Sequence, residues 1–378
     1  MSEFFSFEDI QRAGKVVPLK DVRAILARTE PVEEHILETD GSSRVEVKMP
    51  NEWNLGLKDL DDANLTTCSI SFGGKTYKMS KRAILSLLGK IGLSDRYAFK
   101  SPGDLLEPQV NYWFKNLGVG DESSIKLLTK GDYAVAFMKT SHPVVSNLEI
   151  LEQVRMFLGG NKEGTDLFID PNVVNNFVET DFRVILPKVE FEVETERNGE
   201  PEIDKWHFGV HVSNSLTSYA AKPLTLSGFM MEQRTLTGIL PEYSQVASFT
   251  RAGAFDEDDL RGWVQSTMGQ IMAILPTEAD LVKHMPSHRM NGKVGTLTAD
   301  IFRSMKIHRK VQERAIENLT ESGDMTSYGI MHALAKSVSG MSSKIPPKII
   351  NHVQKVSGTL PVRGEDVCDE CGRLHLFD

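Results

Sequence analysis

Two runs of strict alternation joined by Asn198-Gly199 constrain this chain more than any other feature. Val189, Phe191 and Val193 alternate with charged residues before that dipeptide, and Trp206, Phe208, Val210 and Val212 alternate after it. A period of two puts each set on one face of a strand, and Asn-Gly supplies the two positive φ angles of a tight turn. The pattern predicts a long antiparallel hairpin. Val184 and Leu186 hold the opposite phase to Val189, with Pro187 between them, so a bulge or an edge position is expected there. Leu224–Leu236 is the expected third strand and Ser244–Thr250 an added fourth. The acidic run Asp256-Glu257-Asp258-Asp259 then opens a helix through Trp263, Met268 and Ile271 to Leu275, since acidic side chains in a first turn complement the helix dipole. Strands grouped together and followed by helices make an α+β fold: a central antiparallel β meander packed by helices, with a helical C-terminal region.

Shorter signals place the other elements. A helix is expected near Leu19–Arg28, ended by Pro31, and Thr66–Tyr77 reads as a hairpin turning at Gly73-Gly74. Ser80 is the expected N-cap of a helix carrying Ala83, Ile84, Leu87, Leu88 and Ile91, and a second helix is expected from Pro108 with Val110, Trp113, Phe114 and Leu117. Ile125–Leu128 and Tyr133–Met138 read as strands about Lys130-Gly131-Asp132, and Asn147 as the cap of the next helix. From Leu297 helices are expected near 298–319, 326–339 and 346–357, with a loose tail from Ser357. The organisation is an N-terminal arm over 1–65, an α+β core over 66–280, a basic helical region over 281–358 and an acidic, cysteine-containing tail over 359–378.

A chain of 378 residues that is 40% hydrophobic and 25% charged is neither a disordered nor a fibrous sequence. Apolar runs such as Ala134–Met138 fall far short of a membrane span, and Met1-Ser2-Glu3-Phe4-Phe5 lacks the basic start of a secretory signal. Three cysteines suit a reducing compartment. A cytosolic protein with no membrane partner is expected.

The net charge of −9 is placed unevenly: residues 1–280 carry 29 Lys and Arg against 42 Asp and Glu, residues 281–364 carry 13 against 5, and residues 365–378 carry 1 against 5. On one helix from Asp300 to Leu319, Arg303, Lys306, Lys310 and Arg314 fall within an arc of about 80°, opposite Ile301, Met305, Val311, Ala315, Ile316 and Leu319. Like charges at i, i+4 and i+8 oppose helix formation, and an anionic partner would offset that cost. A solvated basic face, bordered by Glu313 and Glu317, is the plain alternative. Lys283, His284, His288 and Arg289 extend the patch if the fold brings them alongside. Phe302 and Tyr328 are either stacking surfaces or core.

Cys368-x2-Cys371-x3-His375 supplies three of the four ligands of a tetrahedral zinc site. The fourth would be Cys68, a histidine, a carboxylate or a group from a second chain. The alternative is a reduced tail with no cofactor. His207 and His211 share the polar face of one strand with Lys205, about 13 Å apart and too far to share an ion, and are read as surface residues. Gly73-Gly74-Lys75-Thr76 fails as a phosphate-binding loop because Ser69 stands where glycine is required. No hydrolase, zincin or kinase motif is present in the sequence, which leaves catalysis without positive support.

Several segments together resemble the phage/plasmid-like proteins of the domain-of-unknown-function 932 family. They are Met79-Ser80-Lys81-Arg82-Ala83 through Ile91-Gly92-Leu93-Ser94-Asp95-Arg96-Tyr97, then Leu127–Val145, Phe208-Gly209-Val210-His211-Val212-Ser213-Asn214-Ser215, and Thr326-Ser327-Tyr328-Gly329 to Ala335. Phe229–Gln233 and Thr237-Gly238 stand where that family often has a cysteine and Asn-Gly, and the resemblance transfers no site residue. It implies a mobile-element protein. A β meander followed by a packed helix is similar in outline to single-strand annealing proteins, and that analogy implies single-stranded DNA as partner and a homo-oligomeric ring or filament. A protein-interaction module that binds or inhibits a host protein is the alternative.

Overall fold

The computed structural model describes residues 6–13, 15–18, 33–38, 44–57, 65–116, 124–141, 144–158, 167–169, 174–175, 179–215, 224–244, 257–289, 302–303, 305–339 and 347–363. It is an α+β fold with two sheets. Helix α1 (Phe7–Arg12) and strand β1 (Val17–Pro18) come first in the chain. The first sheet uses β2 (Glu33–Glu38), β3 (Glu46–Lys48), β4 (Leu65–Phe72), β5 (Lys75–Ser80), β6 (Ser124–Lys130) and β7 (Tyr133–Met138) in the order β2-β6-β7-β5-β4-β3. Only β5 and β7 run parallel. Helices α2 (Lys81–Lys90), α3 (Asp95–Ala98) and α4 (Gly103–Lys115) belong to this unit, whose core gathers Trp53, Ile70, Met79, Leu87, Leu106, Val110, Phe114 and Phe137.

Ser80 caps α2 as expected, its hydroxyl accepting from the Ala83 amide. Helix α4 starts at Gly103 and not at Pro108. The Asn51 side chain accepts from the Asp104 amide, satisfying an N-terminal donor, and Pro108 within the helix forfeits one backbone bond.

The second sheet joins β1 to strands that follow helix α5 (Asn147–Phe157): β8 (Phe168–Ile169), β9 (Val174–Asn175), β10 (Glu179–Arg197), β11 (Glu200–Ser215), β12 (Thr225–Glu232) and β13 (Thr237–Ile239). Its order is β1-β8-β10-β11-β12-β13, with β9 also on β10. The β10–β11 hairpin turns where the sequence places it, with φ of 53° at Asn198 and 83° at Gly199. The register breaks between the pairs Leu186–Phe208 and Glu190–His207, bracketing Pro187. That bulge lets Phe182, Val184 and Leu186 before it, and Phe191 and Val193 after it, enter the same core despite their opposite phase.

Three details depart from expectation. Ser146 caps α5, because the Asn147 amide is held between Thr180 and Asn214. The third strand ends at Glu232, the fourth is Thr237–Ile239, and Ser244 sits in a turn where its carbonyl accepts from the Gly228 amide. Residues 245–250 lie outside the described residues, as does the helix expected over Leu19–Arg28.

Helix α6 (Glu257–His284) crosses residue 280 and buries Leu260, Val264, Met268, Ile271, Leu275, Ala279 and Val282, a 3–4 spacing that faces the sheet. Helices α7 (Arg309–Ser322), α8 (Ser327–Lys336) and α9 (Pro347–Arg363) share that core through Val311, Tyr328, Met331, Leu334 and Val353. Residues Ser327–Ala335 of α8 are buried on every side. Residues 357–363, where a loose tail was expected to begin, are instead the last two turns of α9, fixed by buried Leu360 and by Gly358, where a Cβ would lie 1.9 Å from the Leu240 carbonyl oxygen, and residues 364–378 lie outside the described residues. No helix among the described residues is long and apolar enough to cross a membrane.

Candidate functional site

The single helix expected from Asp300 to Leu319 is broken. Lys306 has φ of 55°, its amide and that of Ile307 bond back to the Arg303 and Phe302 carbonyls, and α7 begins only at Arg309. The cause lies in the apolar spacing. Phe302, Met305 and Ile307 are all buried, and on a helix Ile307 would point about 140° away from Phe302. A reversal at Lys306 brings all three into the core. The His352 imidazole closes on the Met305 carbonyl at 3.3 Å, bringing α9 against the turn.

The arc of four cations therefore does not exist. Arg303 and Lys306 lie on an exposed turn, Lys310 lies on the first turn of α7, and Arg314 is half-buried further along. On α7 itself, Arg309 pairs with Glu313 at 2.9 Å, and Glu317 and Glu321 share its outer side. Positive charge is concentrated instead at one end: Arg303, Lys306, Arg309 and Lys310 are exposed, with no acidic residue in the sequence from Phe302 to Gln312. Lys283 pairs with Asp280 at 3.1 Å and Arg289 with Glu196 at 2.6 Å. Phe302 and Tyr328 are core residues.

His207 and His211 are buried, correcting their reading as surface residues. His207 meets Gln233 at 3.0 Å, and His211 lies 3.3 Å from Asp181 and 3.5 Å from Ser227. Cys368, Cys371 and His375 lie outside the described residues. Cys68 lies in the first core, where burial pushes its thiol up to about 12. Among the described residues no three His, Cys, Asp or Glu side chains converge as metal ligands.

No sequence motif marks the buried ionic network between the sheet and α8. Asp204 and Glu232 have fully buried carboxylates. The Trp206 indole donates to the Tyr328 hydroxyl at 3.0 Å, and that hydroxyl donates to Asp204 Oδ2 at 2.7 Å. Arg197 bridges Asp204 and Glu202, and Arg234 also pairs with Glu202. Glu232 accepts from the Arg234 and Thr235 amides at 2.6 and 2.8 Å and faces His332 Nε2 at 3.5 Å.

The two carboxylates titrate in opposite directions. Burial holds Asp204 above the ordinary aspartate range, only partly offset by His332, Arg197 and the Tyr328 hydroxyl. Burial would also raise Glu232, but His332, the Thr235 hydroxyl and the Arg234 amide more than reverse it. Tyr328 is pushed well above its ordinary value by burial and by both carboxylates.

The network opens on a cleft of about 440 Å³ lined by Arg197, Glu202, Thr235, Asn318, His332 and Lys336. The hairpin tip forms its rim, because the Asn198 amide donates to the Ser322 carbonyl at the end of α7. Gly323, at φ of 65°, admits Asn198 where a Cβ would lie 2.6 Å from its Oδ1. Glu200 and Glu321 also line the cleft, and Arg197 pairs with Glu202 in its wall. The arrangement fixes the hairpin, α7 and α8 as one unit.

Comparison with protein-family models, with curated proteins and with solved structures finds no match for this chain.

Proposed function

We propose that this chain is a phage-type nucleic-acid-binding protein of the cytosol that holds single strands, as an annealing or recombination protein does. The observation that carries the reading is the turn Arg303–Lys310, where Lys306 and Lys310 are exposed on a reversal with no acidic residue from Phe302 to Gln312. The sequence from Met325 to Gly364 also contains no Asp or Glu, so α9, which meets the turn through His352, adds no opposing charge. The resemblance to the domain-of-unknown-function 932 proteins supports the mobile-element origin. In this reading the cleft is a structural joint, where the Asn198 amide of the hairpin tip holds the Ser322 carbonyl of α7.

The test is binding of labelled single-stranded and double-stranded DNA across a salt series, with particle mass recorded in the same buffer. Three to four phosphate contacts at the turn give a slope of log affinity against log salt of about −2 to −3 on single strands. Lys306→Glu with Lys310→Glu should abolish binding without unfolding the protein. Absence of binding at low salt would refute the reading and leave a protein partner for the basic turn.

A further inference from the structure

Helix α4 buries one side and leaves the other uncovered. Leu106, Val110 and Phe114 enter the first core, while Leu105, Gln109, Tyr112 and Trp113 span an arc of about 100° on the outside. Tyr112 is 62% exposed and Trp113 48%. Their rings meet edge to face, at 81° and 5.7 Å, so they are not stacked on one another and each keeps a ring surface exposed. Tyr97, on α3, joins the same surface because the Gln109 amide donates to its hydroxyl at 3.1 Å. Phe99 follows it, stacked on buried Trp53 at 6.1 Å and still exposed. Isolated exposed apolar residues need no explanation, but a contiguous aromatic patch marks an interaction surface.

The charges around this patch indicate what it meets. Arg96, Lys100 and Lys115 are exposed and form no ion pair among the described residues. The two carboxylates of α4 are committed to backbone amides, Asp104 to that of Leu105 at 2.9 Å and Glu107 to that of Met49 at 2.7 Å. Open ring faces flanked by unspent cations are the combination that binds bases and phosphates together. A protein partner would bury the rings at a surface where lysine is normally depleted.

We infer that the α3–α4 face is a stacking platform for the bases of single-stranded nucleic acid, with Tyr97, Tyr112 and Trp113 as ring surfaces and Arg96, Lys100 and Lys115 on the phosphates. The inference rests on the nucleic-acid reading but uses a different surface, so the two fail separately.

The experiment titrates the full chain with labelled oligothymidylate and with duplex DNA. Tyr112→Ala and Trp113→Ala should each weaken oligothymidylate binding about tenfold and leave duplex binding unchanged, because paired bases offer no free face. Tyr112→Phe and Trp113→Phe keep the rings and should keep the affinity. Tryptophan emission of the wild type should fall on binding, and Trp113→Phe should lose that fall, since Trp53 and Trp206 are buried and Trp263 is half-buried. Unchanged affinity in the alanine variants, with loss of binding on Lys306→Glu and Lys310→Glu, would overturn the platform and leave the basic turn standing. No binding by the wild type at low salt would overturn both. Loss of a protein partner in Trp113→Ala, with oligothymidylate binding intact, would assign the face to that protein.

Discussion

Tyr328→Phe isolates the buried network with the least disturbance, since it removes one oxygen and leaves the ring in place. That oxygen accepts from Trp206 at 3.0 Å and donates to Asp204 at 2.7 Å. Losing a hydrogen bond to a charged group costs about 1.5–3 kcal/mol, and stranding the buried indole donor costs about 1–3 kcal/mol, so a loss of about 3 kcal/mol is expected near neutral pH. The sign of its pH dependence follows from Asp204. Its folded value is raised, so its stabilising contribution is complete below the ordinary 3.8 and is lost as pH rises through the folded value. The Tyr328 hydroxyl limits that loss by favouring the charged form. The variant's deficit should therefore be about 1–2 kcal/mol where Asp204 is protonated and grow to about 3 kcal/mol as the pH rises. Urea unfolding at several pH values, followed by near-ultraviolet circular dichroism, measures it. Tyr328 belongs to the second core and not the first, so a separate transition of the first core should not move. A deficit that is flat with pH, or that shrinks as the pH rises, would refute the reasoning.

Glu278 is held up to about 7 by burial, against the Tyr243 and Ser244 amides that it accepts from. Its contribution is complete below 4.5 and lost as pH rises through about 7, so Glu278→Gln, which keeps the accepting oxygen, should gain stability relative to wild type as urea midpoints are followed from acid to mildly alkaline pH. Lys306→Gly relieves a left-handed residue and should be neutral or stabilising by up to about 1 kcal/mol in thermal unfolding, while weakening DNA retention. Gly358→Ala drives a Cβ into the Leu240 carbonyl and should cost about 2–3 kcal/mol by urea unfolding, with α9 displaced from β13. Because Cys68 is buried, zinc found by metal analysis of the purified chain should survive Cys68→Ser and be lost on Cys371→Ser; loss of zinc on Cys68→Ser would make Cys68 the fourth ligand.

The hairpin was legible because alternation and Asn-Gly act within a few residues of each other, and the phase change at Pro187 revealed its bulge. The same alternation also carried the network. Asp204 shares its parity with Trp206, Phe208 and Val210, and Glu232 shares its parity with Leu226 and Met230, so each carboxylate falls in phase with core positions. Such a carboxylate must find partners, since an unpaired buried charge is too costly to retain. Its partners Tyr328 and His332 lie about a hundred residues away on a helix whose docking no local pattern encodes.

The basic stripe failed for the converse reason. A helical wheel presumes an unbroken backbone, whereas Phe302, Met305 and Ile307 can be buried together only if the chain reverses at Lys306. That reversal separates Arg314 from the other cations and gathers Arg303, Lys306 and Lys310 with Arg309 at one end of α7. At that end Arg309 faces Glu313, and Lys306 and Lys310 are the exposed cations whose charge reversal tests the anion-binding reading. Core packing at Ile307, and not helix periodicity, therefore sets where this chain presents its positive charge. Ile307→Ala should loosen the turn and reduce DNA retention while leaving every cation in place. Equal retention by that variant would show that charge count, and not its placement, governs binding.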